Sequence, residues 1–219
     1  MLREAIEKIE KTIKYPVVEI EYDAEYYDVT FDYIEKKHLF YLPKGTDVPE
    51  IVYMRNLCHA YLAEHVDPLF SSVVVQYDDS LPDRVFENVI WPVFCVSRMW
   101  FADGLMYKLC EKETRKWVEE KVKLVERAFS GEKFDASVKD TLELSLILAE
   151  GEAFGDKKLD TKGKIGELVG IFLSVDPQMA ELKHLERLNS ALLEATSGCS
   201  VELLDNNDLG GRVWRCFKK

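Results

Sequence analysis

Apolar positions recur along this chain at two spacings, and each change of spacing marks an element. Leu2, Ile6, Ile9 and Ile13 repeat at helical intervals and predict an opening amphipathic helix over about Arg3 to Ile13, stopped by Pro16. Two strand-like runs follow, Val17 to Tyr22 (VVEIEY) and Lys37 to Leu42 (KHLFYL). Between them VTFDYIEKK predicts a further strand that turns at Glu35-Lys36-Lys37 to make a hairpin with HLFYL. This places His38 exposed beside two lysines, whose charge disfavours metal binding. After the turn Pro43-Lys44-Gly45-Thr46-Asp47 comes a helix from Pro49 to Val66, apolar almost all the way round.

Beyond Asp67-Pro68 the run Ser71 to Gln76 reads as a short strand or a further helical turn. Asp79 or Ser80 then caps the next helix, with Pro82 in its first turn. The aromatic-rich stretch Asn88 to Cys110 predicts a core helix kinked at Pro92 and interrupted near Gly104. The second half reads as helices: ETRKWVEEKVKLVERAF, then Ala136 to Glu152 after a turn at Ser130 to Lys133. Two more follow, Lys164 to Leu173 and a last one restarting at Asp176-Pro177 and running through Ala195. Gly166 and Gly170 suggest close helix packing. His184 is expected to be solvated, and CSVELLDNNDLGGRVWRCF reads as a terminal hairpin packed down by Trp214 and Phe217. The fold class expected is α+β and mostly helical: a small N-terminal sheet on the Pro49 helix, a helical bundle and a C-terminal hairpin. Residues 1–110 form the α+β core and 111–219 the helical region, packed together as one unit.

Composition narrows the function classes. With a net charge of -11 the chain has no basic stripe, so no nucleic-acid partner is expected. Charged residues at 32% exceed the usual quarter and glycine is sparse, a bias compatible with a thermophilic source. Five cysteines without metal-ligand spacing read as buried thiols in a reducing cytosol. The N-terminus lacks an apolar signal segment, and Pro92, Arg98 and Asp103 interrupt the greasiest window, Val89 to Met106. A cytoplasmic protein with no membrane partner is expected. No phosphate-cradling glycine pattern is present.

The candidate chemistry lies on the Pro49 helix. At about 100° per residue, Arg55, Asn56 and His59 share one arc of roughly a quarter turn, and polar groups on an apolar helix need partners there. His65 lies about 240° round from His59, so the two cannot chelate one ion. Cys58 points about 100° away from His59, which argues against a Cys-His pair.

Strands leading into such a helix resemble the core of the zincin metallopeptidases, whose helix bears H-E-x-x-H. Arg55 stands where that motif has its first histidine, Asn56 where it has the glutamate, and His59 where it has the second histidine. An arginine has no lone pair for a metal, and an amide cannot take up a proton from metal-bound water. The resemblance therefore implies the scaffold without its usual reaction: a pseudo-peptidase binding or regulatory module with no cofactor and a protein or peptide partner. Glu87, 28 residues after His59, falls where some zincins supply a third ligand. A permanent cation at Arg55 favours reading Glu87 as its ion-pair partner, with Arg98 and Asp103 completing the polar cluster. Two other readings stay open. One is a metal-dependent hydrolase that binds zinc through His59, Glu87 and an unorthodox third ligand. The other is a structural or interaction protein unrelated to zincins.

Overall fold

A computed structural model describes residues 2–23, 27–77, 81–129, 137–155 and 160–218. The predicted caps Asp79 and Ser80, the turn from Ser130 to Lys133, and Ala136 lie outside the described residues.

The chain is mostly helical with two small three-stranded sheets, an α+β arrangement. It opens with α1 (Leu2–Glu10), a turn shorter than its apolar pattern suggests. The first sheet holds β1 (Val17–Tyr22), β2 (Asp28–Asp32) and β3 (Lys37–Pro43) in the order β1-β3-β2. β3 runs parallel to β1 and makes the predicted hairpin with β2. Alternation along β2 and β3 buries Val29, Phe31, His38, Phe40 and Leu42 on one face. Against that face lies α2 (Glu50–His65), the helix that carries Arg55.

A 3₁₀ turn (Pro68–Phe70) follows α2, then β4 (Val75–Tyr77), a single helical turn α3 (Asp83–Val85) and a π-helical turn (Phe86–Ile90). The π turn feeds directly into α4 (Trp91–Leu109). The remaining helices are α5 (Glu111–Phe129), α6 (Val138–Phe154), α7 (Gly163–Leu173) and α8 (Leu182–Ser197). The terminal hairpin of β5 (Cys199–Asn206) and β6 (Gly211–Lys218) recruits β4 parallel to β6, so the second sheet runs β4-β6-β5. Trp214 is buried there against Phe94.

Two apolar clusters share α4. Ala102 and Met106 join α1, β2, β3 and α2, while Phe94, Trp100 and Phe101, with Ile90 of the π turn, join the larger cluster that reaches Cys216. By length and composition Asp83–Leu109 would pass for a membrane span, yet most of it is buried inside the fold. No break occurs at Gly104. The helix continues because the bend Val175 to Pro177 docks on it, with Trp100 Nε1 donating to the Val175 carbonyl at 2.9 Å. A Cβ on Gly104 would lie 2.2 Å from the Pro177 carbonyl oxygen, so only glycine admits this approach. With residues 176–177 held there, α8 starts at Leu182 and not at Pro177. The expectation for Gly166 and Gly170 also changes: a Cβ at Gly166 would meet the Thr161 carbonyl of the preceding loop, and Gly170 faces open space.

Replacing Gly104 by alanine is expected to lower stability by about 1–3 kcal/mol despite alanine's better helix propensity, because the Pro177 backbone must move. Chemical denaturation would check this, and an unchanged or raised midpoint would contradict the packing described.

Candidate functional site

Polar residues on α2 are positioned by contacts on two sides. Toward the sheet, Glu64 accepts backbone N–H groups of Lys14 at 2.8 Å and Tyr15 at 2.9 Å. It also lies 2.9 Å from His38 Nε2, with both side chains buried. His38 is therefore not exposed at a turn: it is the inward residue opposite Phe31 in the β2–β3 register. Burial pulls its pKa down, against the opposing effect of Glu64.

Toward the helices, Arg55 makes a two-pronged bond to Asp103 of α4, Nε to Oδ1 at 2.7 Å and Nη2 to Oδ2. Its Nη2 also lies 3.5 Å from Glu150 of α6, whose other oxygen bonds Lys121 of α5 at 2.5 Å. Trp117 of α5 takes both cations on its ring, with the Arg55 guanidinium 4.8 Å and the Lys121 ammonium 3.8 Å from the centroid. Burial alone would raise Asp103, but the charge and hydrogen bonds of Arg55 hold it below the usual carboxylate range. Glu150 goes the other way, pushed well up by burial against the pull of Lys121, with the Asp103 charge adding to the rise.

This corrects the pairing expected for Glu87. That carboxylate is exposed in the π-helical turn, and the acid meeting Arg55 is Asp103. The extra residue of a π turn shifts the phase of the helix around Glu87 relative to α4. Of the four candidate site residues, the structure brings Arg55, Asn56 and His59 together and leaves Glu87 outside.

His59 is buried, and its Nδ1–H donates to the Phe70 carbonyl at 2.7 Å, leaving Nε2 as an acceptor. Burial, together with the charges of Arg98 and Arg55, lowers its pKa to about 3, so the ring is neutral. Asn56 is buried, and among the described residues its Nδ2 has no partner. These three residues line a cavity of about 350 Å³. Val52 joins them from α2, Arg98 and Met99 from α4, Trp117 from α5, and Tyr27, Asp28 and Val29 from the β2 side. No family model, curated protein or solved structure matches the chain.

The donor set does not fit the zinc that the zincin resemblance implies. Arg55 is a permanent cation tied to Asp103, Asn56 cannot act as a base, and His59 supplies one imidazole. Among the described residues no three of His, Cys, Asp and Glu converge as metal ligands do. His65 is exposed and stacks on Tyr61, while His184, expected to be solvated, is half-buried with Nδ1 bonded to the Met179 carbonyl. All five cysteines are free, and burial pushes the Cys58 thiol well up, away from nucleophilic use.

The edge of β2 beside the cavity is already occupied. Its outward groups at positions 29 and 31 meet side chains: the Val29 N–H donates to Asp28 at 2.8 Å, and the Val29 carbonyl accepts from Arg98. Ser72 Oγ bridges the N–H of Phe31 at 2.8 Å and its carbonyl at 2.9 Å. A peptide could not pair with that edge without displacing them.

Arg98, Asp103 and Asp28 complete a site the Pro49 helix alone does not show. Glu150, the first of two acids in the run LILAEGEAF, carried a readable signal, because a charge directly after the apolar LILA needs a buried partner.

Truncating Arg55 to methionine is expected to cost about 3 kcal/mol or more, because Asp103 is left buried without its bidentate counter-ion. The double variant Arg55→Met, Asp103→Leu should recover most of that loss. A double-mutant cycle in urea reads the coupling, and additive losses would contradict the pairing.

A pH effect arises from His59. Its folded pKa lies below the ordinary 6.5, so its contribution is intact above that value and is lost as pH falls toward about 3. Stability should drop by up to about 1.4 kcal/mol per pH unit through that window. His59→Asn keeps an N–H for the Phe70 carbonyl and should flatten the slope; parallel slopes for variant and wild type would count against a buried neutral imidazole.

Proposed function

We propose that this chain is a non-catalytic, zincin-like binding module in which the position of a metal-ligating histidine has become the anchor of a ligand pocket. The observation that carries this reading is Arg55 locked by Asp103 at the helix position where H-E-x-x-H has its first histidine. A guanidinium there repels a divalent cation and attracts anionic groups. Two further features favour it: a strand hairpin precedes the helix, and the Arg55 strip opens to a cavity beside edge strand β2. The metal-hydrolase alternative loses a ligand, since Glu87 is exposed and does not line the cavity. With the β2 edge capped by Ser72 and Arg98, the occupant favoured is a small molecule in the cavity and not an extended peptide.

The test is metal content and zinc affinity. Protein purified without chelators is expected to carry far less than one zinc per chain by plasma mass spectrometry, and stoichiometric zinc would overturn the proposal. The double variant Arg55→His, Asn56→Glu, which restores the motif, is expected to bind zinc measurably more tightly than wild type, whereas equal affinity would count against the scaffold reading.

A further inference from the structure

The cavity holds hydrogen-bond donors that its own walls do not satisfy. Arg98 is 4% exposed; its Nε donates to the Phe94 carbonyl at 3.2 Å, and its Nη1 to the carbonyls of Val29 and Ser71. Among the described residues its Nη2 reaches only Cys95 Sγ at 3.6 Å and the Asp28 carboxylate at 3.7 Å. Neither is a strong acceptor at that range, and Asp28 already accepts the Val29 N–H. Asn56, also 4% exposed, lines the same cavity, and among the described residues its amide NH₂ has no acceptor. An unmet buried donor of this kind costs about 1–3 kcal/mol, a cost that a bound acceptor removes.

The charges around the cavity select the acceptor. Arg55 and Lys121 face Asp103 and Glu150, two cations against two carboxyl groups, so this cluster is matched within itself. Arg98 has only the long contact to Asp28. His59 is neutral and adds no positive charge to the site. Arg98 is therefore the lining cation with the weakest carboxylate contact, and one guanidinium matches one anionic group. Val52, Met99 and the Trp117 ring supply the apolar remainder of the walls, and about 350 Å³ is the small end of ligand cavities.

We propose that this cavity binds a small monocarboxylic acid with an apolar body, its carboxylate held by Arg98 and the Asn56 amide. The proposal rests on the binding-module reading and names the class of its ligand.

Isothermal titration calorimetry of the full chain with phenylpropionate and isocaproate tests it, with phenylpropionamide as the neutral isostere and phenyl phosphate as the dianion. At least one acid is expected to bind once per chain, and the amide and the phosphate at least about tenfold more weakly. Asn56→Leu should weaken the acid about tenfold while leaving the thermal midpoint unchanged or higher, since it removes an unpartnered buried amide. Arg98→Met should abolish binding; if that variant does not fold, Asn56→Leu and the amide comparison decide. Equal binding of acid and amide, tighter binding of the phosphate, no heat from either acid at millimolar concentration, or an indifferent Asn56→Leu variant would each overturn the assignment. A chain that is zinc-free and ignores both acids sinks the ligand class but leaves the module reading standing, whereas stoichiometric zinc sinks the module reading itself.

Discussion

One guanidinium sets the alignment of four helices. Arg55 on α2 meets Asp103 on α4 through two parallel bonds, approaches Glu150 on α6, and lies on the Trp117 ring of α5, which also carries the Lys121 ammonium. A planar fork accepts a carboxylate in few orientations, so α2 and α4 can slide or rotate little without breaking both bonds. On general grounds such a buried pair adds little net stability compared with a well-packed apolar replacement. Its effect here is registry, since the surrounding residues Met54, Leu57, Ala102 and Met106 are interchangeable hydrophobic shapes that would tolerate several alignments. On its other side α2 is held to the sheet by Glu64, which gathers His38 and two backbone N–H groups. Each anchor centres on a buried carboxylate, and between them they decide which strip of an almost uniformly apolar helix faces the cavity.

Local patterns were legible where one period dominates. The β2–β3 hairpin, the limits of α2 and the terminal hairpin all follow from alternation, turn residues and helical spacing. So did the gathering of Arg55, Asn56 and His59 on one strip, and the membership of Asp103 and Arg98 in the cluster around it. Long-range choices were not legible. Glu87 and Asp103 are both acids near the same helix, and the π turn over Phe86–Ile90 separates their phases in a way that residue spacing does not report. His38 shows a different failure: two neighbouring lysines suggested a solvated turn, while the two-residue period through Phe40 and Leu42 had already placed it inward. The delayed start of α8 depends on Pro177 meeting Gly104, a contact between residues more than seventy positions apart, so no local signal at Pro177 encodes it.

Arg98 makes the two halves of the candidate site incompatible with a peptide groove. The same side chain caps the Val29 carbonyl on the β2 edge and lines the cavity behind it. If it left the edge to admit a pairing strand, its charge would leave the cavity; while it stays, the edge is closed and the cavity is cationic. Ser72 closes the next outward pair of groups along the strand, so opening one position would not free the edge. Under the proposed descent from a metallopeptidase scaffold, the changes at positions 55 and 56 and the closing of the edge then form one physical conversion. A cation in place of a metal ligand removes the reaction, and a capped strand removes the means of holding an extended chain. What remains is a cavity whose unmet Asn56 amide and weakly paired Arg98 would be relieved by an anion small enough to enter it.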